Sequence, residues 1–406
     1  MKNGIQSTND TVYIVGTFDT KKSELFYVRD LIEAAGVQTT LVDVGIRSTE
    51  NAVDIKPADI ASYHPDGPSV VFSEDRGDAV TNMSIALKRL IETKSDIAAM
   101  LGLGGSGGSA IITPSMQTLP VGIPKMMVST MASGEVSSYV GSSDMFMLNP
   151  ITDIAGLNRV LRQVLANAAH AIVGMLSHPL PDSEDSKPAL GLTMFGVTTP
   201  CVTAISKAFE DDYDCMIFHA TGTGGRAMEH LVDAGEISGV VDITTTEVCD
   251  LLFDGVQSAG EGRLDSIARS GVPYVGSCGA LDMVNFRGIE TIPERYKDRN
   301  LYVHNPHVTL MRTTAEECAR IGKWIGQKLN ACLGPVEFLL PLKGVSSISV
   351  EGAIFYDSDA DAALFEALIN TVEQTDKRKI TSIDADINDP EFISRAIDAF
   401  NKIRLI

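Results

Sequence analysis

The chain has 406 residues, with 33 Lys and Arg against 53 Asp and Glu, a formal charge of −20. That balance excludes nucleic acid and anionic membranes as partners, because both are held by clustered cations and the longest basic run is Lys377-Arg378-Lys379. A content of 44% hydrophobic and 21% charged residues is that of a globular protein, and the length suggests about two domains.

Met1 to Asp10 is polar and lacks the apolar core of a signal peptide, so a cytoplasmic location is expected. The β-branched run Thr11 to Gly16 predicts a strand. Lys21 to Ala35, with apolar residues at Leu25, Val28, Ile32 and Ala35, predicts an amphipathic helix capped by Gly36. Val37 to Val44 is again strand-like. A helix over 78–94, a strand at Ile97 to Leu103, a helix after Gly108, and strands at Lys125 to Val128 and Met145 to Leu148 follow. A helix from Ile154 to Leu176 closes this half. The uncharged stretch Ile97 to Pro124 is long enough to span a bilayer, but its glycines, prolines and hydroxyl residues mark a buried strand, a turn and a short helix instead.

Periodicity fails across 179–188, where prolines, serines and acids cluster, and this predicts a linker between domains 1–178 and 189–406. A second series of strands is expected at Ala189 to Phe195, Cys215 to Phe218, Gly239 to Ile243, Pro273 to Val275, Leu301 to Val303, Val336 to Leu340 and Lys379 to Ile383. The last helix is Pro390 to Ile403. Strands alternating with helices predict an α/β protein made of two Rossmann-like, doubly wound parallel-sheet domains. The six cysteines are scattered and form no CxxC pair, which reads as reduced thiols.

The sharpest motif is Gly104-Gly-Ser-Gly-Gly-Ser109. After a buried strand, Gly104, Gly105, Gly107 and Gly108, with Ser106 among them, let backbone amides approach an anion, and Ser109 and the following N–H groups open a helix whose positive end favours phosphate. A tight turn needed only for packing is the alternative. No GxxxxGK[ST] is present, and the formal GxGxxG at Gly102 follows the third strand rather than the first. Gly16, Thr17, Asp19 and Lys21 form the first strand-to-helix turn. There Asp19 could orient Mg²⁺ and Lys21 could meet phosphate, or Asp19 could simply cap the helix. Asp43, at the end of the second strand, lies where ribose-binding acids sit, although a surface acid is the plainer reading.

In the second half nearly every strand leads into a polar turn, and in a parallel sheet these ends share one edge. They supply candidate substrate contacts at Thr199, Thr221, Thr223, Gly224, Gly225, Arg226, Thr245, Asp282 and Arg312, with Arg263 as a further anion clamp. His219, Asp242, Glu247 and His304 could act as acid–base groups or bind a divalent metal, without any HxH or HExxH spacing to support it. Ser277-Cys278 lacks a nucleophile elbow.

With Gly16-Thr-Phe-Asp-Thr-Lys21, Leu41-Val-Asp-Val-Gly45, Gly102-Leu-Gly-Gly-Ser-Gly-Gly108 and Lys125-Met-Met-Val-Ser-Thr-Met-Ala-Ser133, the chain resembles the Tm-one-like ATP-binding domain family. His219-Ala-Thr-Gly-Thr-Gly-Gly-Arg226, Asp242-Ile-Thr-Thr-Thr-Glu247, Gly279-Ala-Leu-Asp-Met-Val-Asn285 and Ile383-Asp-Ala-Asp-Ile-Asn-Asp389 extend the resemblance over essentially the whole chain. It implies two Rossmann-like domains, ATP bound in the first by the Gly16 to Asp19 turn and the Gly104 to Ser109 loop, and a homodimer. In plant members a TIM-barrel-type domain follows. Three functional readings stand: an ATP- and Mg²⁺-binding protein acting on a small polar metabolite, a hydrolase or lyase using the second domain's edge, and a non-catalytic nucleotide sensor.

Overall fold

The computed structural model describes residues 11–178 and 187–404. The chain divides into two compact units, residues 1–184 and 185–406, with separate parallel sheets. The first ten residues and most of the expected linker, 179–186, lie outside the described residues.

In the first unit the chain runs β1 (Thr11–Gly16), α1 (Phe18–Ala34), β2 (Thr39–Asp43), α2 (Pro57–Ala61), α3 (Arg76–Glu92), β3 (Ile97–Gly104), α4 (Ser106–Met116), β4 (Lys125–Ser129), α5 (Ser137–Val140), β5 (Phe146–Leu148) and α6 (Arg159–Ser177). The strands pair in parallel in the order β2-β1-β3-β4-β5. Alternation along β1 divides the core: Val12 and Ile14 pack with Leu25 and Val28 of α1 and Leu161 and Leu165 of α6, while Tyr13 and Val15 pack with Met83 of α3 and Ile112 of α4. Helices on both faces are why these strands read as continuous apolar runs. The α6 helix is long and apolar enough by composition to cross a membrane, but its Leu161, Leu165, Ala168, Ala169, Ile172 and Leu176 face is buried in this core.

Two helix starts differ from the sequence expectation. The α1 helix begins at Phe18, and Lys21 kinks it with φ −132° and ψ 24°, so its first turn is a separate helical turn. This turn is held from outside: the Phe18 amide donates to Asp43 Oδ1 at 3.1 Å. The α4 helix starts at Ser106 and takes Gly107 and Gly108 into its first turn. A Cβ on Gly104 would stand 2.8 Å from the Gly108 Cα, so this tight entry requires glycine there.

The second unit runs β6 (Ala189–Met194), α7 (Thr199–Phe209), β7 (Asp214–His219), α8 (Thr223–Asp233), β8 (Gly239–Thr244), α9 (Glu247–Leu252), α10 (Asp265–Ser270), β9 (Tyr274–Gly279), β10 (Met283–Phe286), β11 (Leu301–Asn305), β12 (Val308–Arg312), α11 (Ala315–Asn330), β13 (Val336–Pro341), α12 (Ser358–Thr371), β14 (Arg378–Ile383) and α13 (Pro390–Ile403). Six strands form a parallel sheet in the order β14-β13-β9-β8-β6-β7. On one face Val240 and Phe338 pack with Met228, Ile321 and Leu364, and on the other Leu192 and Val241 pack with Ile205, Phe209 and Phe400. Each unit is therefore a Rossmann-like, doubly wound α/β domain. The expectation of a single strand edge fails at β11, which belongs to a separate antiparallel sheet of order β10-β12-β11.

Candidate functional site

In the first sheet Gly16, the last residue of β1, pairs with Asp43 on one side and Leu103 on the other, and Gly104 pairs with Ser129 one step further. The β1–α1 and β3–α4 turns are therefore neighbours at the carboxyl ends of adjacent strands. Strand order reverses between β1 and β3, and ligands of open α/β sheets bind in the crevice at such a switch point. That the glycine loop follows the third strand thus brings it beside the turn of the first.

The first-turn N–H groups of Ser106, Gly107 and Gly108 have no intrahelical acceptor, and the N-cap Gly105 has no side chain to cap them. The surroundings suit an anion. Arg76, the first residue of α3, has Nη2 3.7 Å from where a Cβ on Gly107 would be, and the Thr130 hydroxyl stands equally close to the corresponding point on Gly105. Arg76 is exposed and makes no hydrogen bond or ion pair among the described residues. Ser106 is exposed at the mouth of the turn. Ser109 instead faces inward: its fully buried hydroxyl bonds the Gly105 carbonyl at 2.8 Å and the Ser129 hydroxyl at 2.6 Å, clasping α4 to β4.

In the other turn the Thr17 hydroxyl bonds that of Thr20 at 2.7 Å, and Lys21 Nζ donates to the Ile154 carbonyl at 3.0 Å. Lys21 thus secures the approach to α6. Asp43 is wholly buried rather than a surface acid. Its Oδ1 accepts from the Phe18 and Gly45 amides, at 3.1 and 2.8 Å, while Oδ2 has no partner. Burial pushes this carboxyl up, and the Asp19 charge adds to the effect, against the Ser48 hydroxyl and the two amides, which pull it down. Asp19 is exposed and has no hydrogen bond or ion pair among the described residues.

The echoing turn of the second unit is already filled. Gly222, with φ +87°, and Gly225 both direct amides at Glu247 Oε1, at 2.6 and 3.1 Å, so a carboxylate of the chain itself occupies the anion nest. A Cβ on Gly225 would collide with that carboxylate, and one on Gly224 with the His219 carbonyl. Beneath lies Arg263, 2% exposed, which donates to Glu247 Oε2 at 2.9 Å, Glu229 Oε1 at 3.1 Å and both oxygens of Asp242 at 2.8 Å. Burial works against the guanidinium's charge, but the three carboxylates outweigh it and hold Arg263 well above its ordinary value. Asp242 also accepts from Thr193 at 2.5 Å and Tyr274 at 3.0 Å. Asp242 and Glu247 are therefore spent inside the fold, where four groups satisfy one another.

The proposed quartet does not assemble. His219 is exposed at the end of β7 against the Phe195 ring, and His304 is exposed on β11 in the other sheet. Among the described residues no group of three or more His, Cys, Asp or Glu side chains is gathered as a metal site. Thr199, Thr221 and Thr245 hydroxyls bond the carbonyls of Phe195, His219 and Ser277, while Thr223 is exposed at the start of α8. Arg226 donates to the Ser258 carbonyl at 3.0 Å. Arg312 lines a pocket of about 340 Å³ with Arg299, Asn300 and Asp357, but its guanidinium is committed to Asp361 at 2.6 Å and to the Phe355 and Thr313 carbonyls. Asp282, fully buried, accepts from Ser346 at 2.8 Å and is pushed up to about 6 by burial.

Sequence reading missed Arg76, Thr130 and Glu229. A signal for Arg76 existed, since a cation in the first turn of a helix opposes the helix dipole and asks for another purpose.

The chain matches family models over nearly its whole length. Residues 10–181 match the N-terminal domain and residues 187–404 the C-terminal domain of the uncharacterised protein family UPF0261. A UPF0261 protein of Rhizobium meliloti (strain 1021) is 56% identical over 97% of this chain and 98% of its own length. One from Clostridium tetani is 44% identical over 95% of this chain and 96% of its own. The ToMV resistance protein Tm-1(GCR237) of Solanum lycopersicum is 38% identical over 98% of this chain, which spans 56% of that protein. The chain belongs to the UPF0261 family.

Proposed function

We propose that the first domain binds ATP, with its phosphates on the Gly105 to Gly108 amides and Arg76 as counter-charge. The reading rests on one observation above all: two polar turns meet at the β1/β3 switch point, and one of them presents uncapped helix amides. A sequence-similar turn in the second domain is closed by Glu247, which makes the open state of the first a contrast within one molecule. Adenine as the base comes from the resemblance to the Tm-one-like ATP-binding family. The residues themselves support phosphate.

Mg²⁺ fits the same edge. Asp43 Oδ2 is a buried oxygen without a partner, and Asp19 stands near it with its carboxylate uncommitted. Bound there, Mg²⁺ would offset phosphate charge beside a chain of net charge −20. The chain's own part is to bind and orient: amides fix the phosphates, Arg76 neutralises them from outside, and Thr130 offers a hydroxyl.

Calorimetric titration of ATP with Mg²⁺ into the wild-type chain and Arg76→Ala tests this. Binding is expected in the wild type, weakened about tenfold in the variant, the scale of one hydrogen bond to a charged group. Folded wild-type protein that binds no ATP at millimolar nucleotide would refute the proposal.

A further inference from the structure

We infer that Asp43 and Asp19 form a cation site of the Mg²⁺ or Mn²⁺ class across Gly45, complete before any nucleotide arrives. This deepens the phosphate reading but needs only oxygens of the chain itself. The Oδ1 atoms of both acids, and Cβ of Ser48, each lie 3.0 Å from the point a Cβ on Gly45 would occupy. Gly45 is not among the residues with positive φ, so the backbone does not require glycine there. What its missing side chain provides is an open cradle between two carboxylates.

Neither carboxylate has a cationic partner among the described residues. The nearby ammonium groups are engaged elsewhere, Lys21 with the Ile154 carbonyl and Lys22 with Glu50 at 2.5 Å. Asp43 is wholly buried, with Oδ1 fixed by two amides and Oδ2 unpartnered. A buried carboxylate with an unpartnered oxygen and a second acid beside it is costly unless a proton or a cation compensates it. Asp43 is held rigidly in place, and the exposed Asp19 gives an ion access from solvent.

The donor set narrows the ion. Two carboxylates are too few for Ca²⁺, which takes six to eight oxygens, and no Cys or His joins them to favour Zn²⁺. Mg²⁺ and Mn²⁺ accept one or two carboxylates and retain waters, which phosphate oxygens can later replace.

The experiment is a Mn²⁺ titration of metal-stripped protein without nucleotide, following free Mn²⁺ by electron paramagnetic resonance with Mg²⁺ as competitor. A single Mn²⁺ per chain is expected, displaced by Mg²⁺, with affinity falling at least about tenfold in Asp43→Asn and Gly45→Ala. Far-UV circular dichroism checks that these variants fold. The exposed Asp19→Asn gives the same reading without touching the core. Wild-type protein that binds no stoichiometric Mn²⁺, or binding undiminished in the folded variants, overturns the inference. The two proposals separate cleanly: ATP binding in chelator without Mn²⁺ binding sinks the cation site alone, and Mn²⁺ binding without ATP binding sinks the phosphate reading alone.

Discussion

Ser106 is the residue at which phosphate binding and helix stability pull in opposite directions. It is exposed at the first position of α4, where a negative side chain improves the helix by about 0.3–1 kcal/mol through its dipole. The same charge would stand where a phosphate is proposed. Ser106→Asp is therefore expected to raise the thermal midpoint slightly while abolishing ATP binding, measured by calorimetry on the same preparation. A variant that keeps its ATP affinity would move the phosphates off this turn. Other residues of this edge show the limit of reading a sequence. Gly104 to Gly108 announce themselves by density. The burial of Asp43 is not legible in the sequence, where a surface acid is the plainer reading of a ribose-site candidate, because burial at a strand end depends on what the neighbouring turn presses against it, here Phe18 and Gly45. Arg76 signals itself as a cation in the first turn of α3, but that it reaches Gly107 follows only from the packing of α3 beside α4.

Elements carry the next contrast, between the turns entering α4 and α8. Their sequences look alike, and both follow parallel strands. What separates them is Glu247, which lies 22 residues beyond Gly225 and plugs the second nest. Removing it leaves the Gly222 and Gly225 amides and Arg263 Nε without an acceptor. Glu247→Ala is expected to cost about 3–5 kcal/mol, as when one member of a buried ion pair is lost. Formate, which matches the missing carboxylate, should raise the urea midpoint of the variant more than that of the wild type. Equal shifts in both proteins would show that the nest does not hold Glu247 as its anion. At this scale the alternation of strand and helix was legible, because parallel strands covered on both faces read as apolar runs. The sheet of β10, β11 and β12 was not. Its short strands are partnered by distant residues, such as Met283 with Arg312, and only Leu301 to Val303 had a strand-like pattern.

For the molecule as a whole, the acidic excess behind its −20 charge reaches the interior of the second unit, where Asp242, Glu229, Glu247, Asp250, Asp282 and Asp361 are buried with Arg263 and Arg312. Asp250 lies outside both arginine clusters. It accepts from the Asn285 side chain at 2.7 Å and from the Asn285 and Gln257 amides, and burial pushes it up to about 7. Burial likewise raises Asp282, to about 6. Between the unfolded carboxyl range, about 3.9, and these values the folded chain holds protons that the unfolded chain has released, so stability falls as pH rises. Their favourable contribution is complete below about pH 4 and lost on passing through pH 6 and 7. Each group adds a slope of at most about 1.4 kcal/mol per pH unit. Urea unfolding of the wild type from about pH 5 to about pH 8 should therefore show declining stability. Asp250→Asn should flatten the decline around pH 7, since the new amide no longer ionises and Asn285, whose Oδ1 is unpartnered, can turn to accept from it. Stability that rises through this window, or an Asp250→Asn profile parallel to the wild type, would show that Asp250 is ionised inside the fold throughout.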